Sequence, residues 1–210
     1  MSPPLSLTSD EYRLLRRLNS PRKIQDFVNA IPVNFPVGNS TCLSPRRVLR
    51  ENRAHCIEGA MLAALALRLQ GHKPLLLDLI SAHHDFDHVV ALFRQHDRWG
   101  AISKTNHAVL RYREPVYKTV RELALSFFHE YFDDRGFKTL RSFSRPMDLS
   151  RLDKREWITN EKDVWFVIDA LRAIPHETIM TRAQITGLRK ADALEIAAGK
   201  LEQEKNSTKP

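Results

Sequence analysis

One strongly apolar run, residues 57–71, constrains the fold of this chain more than any other feature of the sequence. Ala and Leu, which dominate the run, are strong helix formers, and Gly71 is the kind of residue that follows a helix end. A helix that is apolar on most of its surface is buried on most of its surface. Cys56 stands immediately before the run, so we expect it at or near the N-terminus of a buried helix.

The predicted position of Cys56 bears on its chemistry. Unpaired N–H groups and the positive end of the helix dipole favour a thiolate over a thiol. A cysteine near the start of an apolar helix is, however, often only part of the core. Its position alone therefore leaves both a nucleophile and a core residue open.

Three short runs after the helix predict strands. Residues 75–80 and 88–93 have strand length, residues 95–98 indicate a hairpin turn, and residues 99–102 predict a third strand. This order predicts an α+β fold in which a short antiparallel sheet packs on a central helix that carries Cys56. The arrangement can bring Cys56 close to His88, as a cysteine nucleophile and its base require.

These features together carry a family resemblance. They are Cys56 with its Ala/Leu helix, the strand 75–80, the string Asp-His-Val-Val-Ala-Leu-Phe at 87–93 and Arg-Trp-Gly-Ala-Ile at 98–102. The segment from Asn52 to Asn106, about a quarter of the chain, resembles the transglutaminase-like superfamily of papain-type cysteine enzymes. The resemblance implies that Cys56 is the nucleophile and His88 the general base of an acyl-transfer enzyme that forms a thioester.

The third catalytic position departs from the pattern of that superfamily. An acidic residue there commonly follows an aromatic residue of the third strand by four positions, but four after Trp99 is Ser103. Asn106 can orient an imidazole through its side-chain oxygen, as Asn does in papain-like sites, and Ser103 can do so more weakly. We therefore name Cys56, His88, Asn106 and Ser103 as candidate catalytic residues. A catalytically inactive transglutaminase-like interaction module is an alternative.

A second alternative is a metal-dependent hydrolase. Residues 83–88, His-His-Asp-Phe-Asp-His, place five potential ligands in six positions and approximate the H-x-H-x-D-H string of metallo-β-lactamase-like enzymes. Imidazole and carboxylate groups together suit zinc, manganese or iron. The strand predicted after His88 disfavours this reading, because those enzymes continue into a helix. We expect no cofactor and no metal.

The charge of the chain bears on its partners. The formal net charge is +8, but no recognition helix, zinc-finger spacing or RNA-binding aromatic motif accompanies it. We expect a peptide or protein substrate, and the basic charge could steer an acidic one to the cleft, with Arg50 and Arg53 adding positive potential near Cys56. Nucleic acid is not the partner we expect, although the basic charge leaves it open. No signal peptide or membrane span is recognised, so a cytoplasmic location is expected.

The remaining sequence predicts elements that flank this core. Capped helices are expected at residues 8–18 and 20–31, then a loop at 32–45, and further helices at 115–131, 160–171 and 191–204. Residues 133–153 show little periodicity and are expected to wrap the surface. We predict a single domain over residues 1–210, with its core at about 44–132 and a C-terminal wrap and helical extension at 133–210. The two cysteines, Cys42 and Cys56, do not indicate a disulfide scaffold.

Overall fold

A computed structural model describes residues 4–35 and 40–203. The helices within these residues are α1 (Ser9–Arg17), α2 (Pro21–Ala30), α3 (Pro45–Glu51), α4 (Cys56–Leu69), α5 (Val120–Leu125), α6 (Trp165–Ala173), α7 (Arg182–Thr186) and α8 (Ala193–Gly199). The strands are β1 (Leu75–Ser81), β2 (His88–Gln95), β3 (Arg98–Ser103), β4 (Arg113–Tyr117), β5 (Leu140–Ser144), β6 (Met147–Asp148) and β7 (His176–Thr178). Short 3₁₀ helices lie at Pro4–Ser6, Phe128–Glu130 and Leu149–Arg155. The predicted α+β class is confirmed.

The strands form one antiparallel sheet in the order β4-β3-β2-β1-β5-β7, with β6 also paired to β1. The predicted hairpin at 95–98 is present, and His96 and Asp97 both have positive φ, as the tight primed turns of hairpins require. β5 and β7 lie in the sheet, which therefore continues beyond the predicted core at residues 44–132. Residues 133–153 do more than wrap the surface, because β5 pairs with the central strand β1.

The sheet is covered on both faces, which explains why its central strands are continuous apolar runs. On one face α4 packs on β2, β3 and β1, and α1, α2 and α3 in turn pack on α4. The residues of α4 from Ile57 to Leu67 are all buried. On the other face Leu77, Val90 and Leu92 pack with Leu123 and Phe127. The predicted packing of the sheet on the cysteine-bearing helix is confirmed.

The predicted helix starts are correct where a neighbouring side chain caps the helix. Thr8 and Ser20 cap α1 and α2 as predicted, with Pro21 in the first turn of α2. The helix α3, capped by Ser44, was not predicted from the sequence. α6 and α8 begin later than expected, and residues 36–39 of the predicted loop and residue 204 of the predicted tail lie outside the described residues.

The helix predicted over residues 115–131 is wrong in its first part. Residues 113–117 form the edge strand β4, where Pro115 costs no ladder hydrogen bond and Val116 points to solvent. The helix starts only at Val120, where the Thr119 side chain accepts a hydrogen bond from the Glu122 N–H. Among the described residues, no helix is long and apolar enough to cross a membrane.

Candidate active site

The chain enters α4 through a short, well-fixed connection that positions Cys56. Asn52 ends α3 in the left-handed conformation, and a parallel bridge between Val33 and Ala54 ties the connection to the end of the α2 segment. His55 is extended at the N-cap position, so Cys56 is the first residue of α4. Its backbone N–H is one of those without a partner inside the helix. Cys56 therefore lies at a helix N-terminus, as the sequence predicted.

The Cys56 thiol meets two histidines. Burial alone would raise its pKa, but hydrogen bonds from His55 and His88, together with their charges, outweigh burial and lower the pKa to about 5. Cys56 itself stays partly exposed. The nucleophilic thiolate is therefore the form present at neutral pH. The spatial pairing of Cys56 with His88 was anticipated from the sequence; that with His55 was not.

His88 is held by Ser103, which is buried beside it. His88 Nε2 lies 2.8 Å from Ser103 Oγ, and Ser103 Oγ donates its proton to the Leu110 carbonyl oxygen at 2.5 Å. A hydroxyl has one proton to donate, so Ser103 accepts from the His88 Nε2–H. The other ring nitrogen of His88, Nδ1, is thereby left for the Cys56 thiol.

His55 contacts a different set of groups from His88. Its Nε2 donates to the Thr41 carbonyl oxygen at 2.8 Å and lies 3.3 Å from Glu58 Oε1. Burial disfavours the charged ring, but the hydrogen bond with Cys56 and the negative charges of Cys56 and Glu58 raise the His55 pKa to about 9. At neutral pH a Cys56 thiolate therefore faces a His55 imidazolium.

Glu58 is the carboxylate that holds the groups around His55 in place. It is fully buried one helical turn from the N-cap, and it accepts four hydrogen bonds at 2.7–2.9 Å, from Asn34 Nδ2, Thr41 Oγ1, the Leu43 N–H and the His55 N–H. A buried charge that is fully hydrogen-bonded keeps its surroundings rigid. Glu58 thus fixes both His55 and the Thr41 carbonyl that His55 contacts.

A cavity of about 940 Å³ opens onto these groups. Cys56, His55 and His88 lie in its wall, together with Asn106 and Tyr131. The Ser103 side chain contacts His88 Nε2. Asn106 lies in the cavity wall, and its backbone carbonyl accepts from the Gln203 N–H at 2.8 Å. An orienting role for Asn106 stays a prediction.

The histidine-rich segment 83–88 is built as a turn. Asp87 Oδ1 accepts from the Ser81 N–H at 2.8 Å, and Asp85 accepts from the Phe86 N–H at 2.8 Å and from the Thr139 hydroxyl. His83 and His84 are exposed. Within residues 4–35 and 40–203, no three His, Cys, Asp or Glu side chains converge in a way that would hold a metal ion. The metal-hydrolase alternative therefore has no support in the geometry of this segment.

Other residues singled out in the sequence are placed away from the thiol chemistry. Cys42 is fully buried, and burial raises its pKa to about 12. Arg50 pairs with Glu161 and Glu51, and Arg53 pairs with Glu51. The expected positive potential from these two arginines at Cys56 is therefore offset by neighbouring carboxylates.

Sequence reasoning missed His55, Thr41 and Glu58. The string His55-Cys56-Ile57-Glu58 does contain a signal, because Glu at the third helical position is the usual partner of an N-cap backbone N–H. Comparison of the sequence with models of known protein families and with curated proteins finds no match.

Proposed function

We propose that this protein is a cysteine-dependent acyl-transfer enzyme that acts on a peptide or amide through a thioester on Cys56. The observation that carries the proposal is the position of Cys56 at the start of α4 and in the wall of a large cavity, with both His55 and His88 as hydrogen-bond partners that lower its pKa to about 5. Perturbed pKa values cluster at functional sites, and reactive cysteines have lowered ones. The order of cysteine helix and histidine strand is the one that the resemblance to the transglutaminase-like superfamily implies.

The proposed reaction uses the Cys56 thiolate and the two histidines in the positions described above. The thiolate attacks the carbonyl carbon, a C–S bond forms, and the oxyanion accepts from the Cys56 backbone N–H. The C–N bond then breaks as an imidazolium gives its proton to the leaving amine. Water or a second amine next attacks the thioester, giving up one proton to the neutral ring, and the thiolate leaves. We assign His88 as the proton carrier, because Ser103 takes its Nε2–H and leaves Nδ1 for the thiol, and His55 keeps the thiolate charged.

A generic acyl donor tests the proposal without knowledge of the natural substrate. 4-Nitrophenyl acetate should release a burst of nitrophenolate at pH 6 to 7 and leave one acetyl group on Cys56, located by peptide mass spectrometry. The acetyl group should then be lost to water or to added amine. Cys56→Ala should show no burst, and Cys42→Ala should show a normal one.

The same experiment separates an enzyme from an inactive module. A folded wild-type protein with no burst, or with a burst that survives Cys56→Ala, would reject the proposal. The first of these results would favour an interaction module that keeps the fold without the chemistry.

A further inference from the structure

A second cavity, of about 540 Å³, adjoins the catalytic cavity and shares His84 and Arg135 with it. It lies between the segment around β5 and the residues that follow α7. A group bound here would therefore be next to the cavity that Cys56 lines.

The charged side chains that the described residues place in the wall of this cavity are all positive. Arg135, Lys138, Arg141, Arg189 and Lys190 line it, and no described carboxylate does. Five cations around one cavity repel each other, and the cost grows as water is excluded. Carboxylates that pair with these cations but do not line the cavity offset part of this charge.

Three of the five cations have such a carboxylate. Arg135 pairs with Asp133, Lys138 pairs with Glu195, and Arg189 pairs with Asp192 and Glu195. Arg141 and Lys190 form no ion pair with any described acidic side chain. The cavity thus keeps positive charge that the acidic side chains in residues 4–35 and 40–203 do not balance.

Arg141 and Lys190 are also held in place. Arg141 is half-buried, and its Nη1 donates to the carbonyl oxygens of Lys138 and Leu140, both at 3.0 Å. Burial lowers the pKa of this guanidinium. Lys190 lies over the Phe137 ring at 3.9 Å, and Arg135 lies over the same ring at 5.1 Å. Arg141 is therefore a partly desolvated cation that two carbonyls hold in position. Such a guanidinium is a good ligand for an anion, because its fork matches a carboxylate or a phosphate.

We propose that this basic cavity binds an anionic group, a carboxylate or a phosphate, of the acyl donor while its carbonyl carbon lies at Cys56. The role in substrate binding rests on the proposed function, whereas anion binding itself does not. This places the positive charge that acts on the substrate at Arg141 and Lys190, rather than at Arg50 and Arg53.

Anion binding is tested first, on the full-length Cys56→Ala protein. Inorganic pyrophosphate and citrate are titrated by calorimetry at constant ionic strength, so that screening alone produces no signal. Saturable binding is expected, weakened about tenfold or more by Arg141→Gln and several-fold by Lys190→Gln. Lys162→Gln, which removes an exposed lysine that lines neither cavity, should bind as the parent does. Tighter binding of pyrophosphate points to a phosphate ligand, and tighter binding of citrate to a carboxylate.

Substrate selection is tested next, on the active protein. Mono-4-nitrophenyl esters of dicarboxylic acids of increasing length are compared with neutral esters of the same length. One length should be preferred in its anionic form over the neutral ester of the same length. Arg141→Gln should reduce that ratio about tenfold, whereas Lys162→Gln should keep it.

The outcomes separate the two proposals. No saturable binding of either anion, or equal weakening by Lys162→Gln, overturns the anion site. Binding without any acylation of the wild-type protein leaves the anion site standing and rejects the acyl-transfer function. Binding with equal turnover of charged and neutral esters by wild-type and Arg141→Gln proteins rejects the role of the site in substrate selection.

Discussion

Two lines of hydrogen bonds meet at the Cys56 sulfur, and they differ in charge. One runs from the Leu110 carbonyl through Ser103 to His88. The other runs from the Thr41 carbonyl to His55, whose ring also forms an ion pair with the buried Glu58 carboxylate. A neutral hydroxyl stabilises an imidazolium less than a carboxylate does. The acidic residue that the sequence lacks on the third strand therefore has a counterpart at Glu58, which supports the other histidine.

Ser103→Ala tests the first of these lines. The change removes the acceptor of the His88 Nε2–H, and it leaves the Leu110 carbonyl without its hydroxyl donor. We expect the acylation rate to fall about tenfold or more and the free energy of unfolding to fall by about 1–3 kcal/mol. Burst kinetics and urea denaturation measure the two effects.

Asn106→Ala is the matched comparison for Ser103→Ala, because Asn106 was the other candidate for orienting His88. It should reduce the acylation rate less than Ser103→Ala does. A larger loss with Asn106→Ala, at equal stability, would assign the orienting role to Asn106.

At the scale of elements, the N-terminal turn of α4 lies unusually close to the end of β3. A Cβ atom added at Gly59 would lie 2.5 Å from Lys104 Cβ and 2.9 Å from Lys104 Cγ. Lys104 directly follows Ser103, so the same approach brings the thiol and its histidine support together. Gly59 is in the sequence because no side chain fits there.

Gly59→Ala is therefore expected to destabilise the protein. In an ordinary helix interior this change stabilises by about 0.5–1 kcal/mol, but here the backbone of Lys104 must move. We predict a loss of about 1–3 kcal/mol in the free energy of unfolding, together with slower acylation of Cys56. An unchanged or higher melting temperature would show that α4 and β3 are not in close contact at this point.

The sequence allowed accurate prediction of those elements whose signals are local. Cys56 at a helix start follows from the Ala/Leu run and Gly71, and the hairpin follows from two apolar runs with a polar turn. His55 was missed because its role depends on the Thr41 carbonyl and on Glu58, and a carbonyl has no sequence signal. The helix predicted at 115–131 was wrong in its first part, because those residues belong to the edge strand β4. Pairing in the sheet is a tertiary effect, and here it outweighs local propensity.

At the scale of the whole molecule, the central strand β1 carries a buried acid. Asp78 is 4% exposed, its Oδ1 has no hydrogen-bond partner among the described residues, and His176 Nε2 lies 3.9 Å from its Oδ2. Burial, with the nearby negative charges of Asp87 and Cys56, raises the Asp78 pKa to about 7. A carboxyl whose pKa is raised by folding binds its proton more tightly in the folded protein, so stability falls as pH rises from about 4 to 7.

Asp78→Asn should remove this dependence. The variant should gain stability relative to the wild type as pH rises from 5 to 8, by about 2 kcal/mol. Urea denaturation of both proteins at the two pH values measures the difference, and contributions from Cys56 and His55, which both proteins share, cancel to first order. A difference that is the same at pH 5 and pH 8 would contradict the account of Asp78.

The central claim is that Cys56 is a thiolate at neutral pH because two histidines hold it. The most direct test is the rate of iodoacetamide labelling of each cysteine between pH 4 and 9, read by peptide mass spectrometry. The midpoint of the pH dependence reports the thiol pKa, whereas limited access lowers only the plateau.

Cys56 labelling should rise to a plateau with a midpoint near pH 5, and buried Cys42 should stay unlabelled in the native protein. His55→Gln and His88→Gln should each move the midpoint upward. A wild-type midpoint near the ~8.5 of a free thiol, or one that neither histidine variant shifts, would contradict the claim.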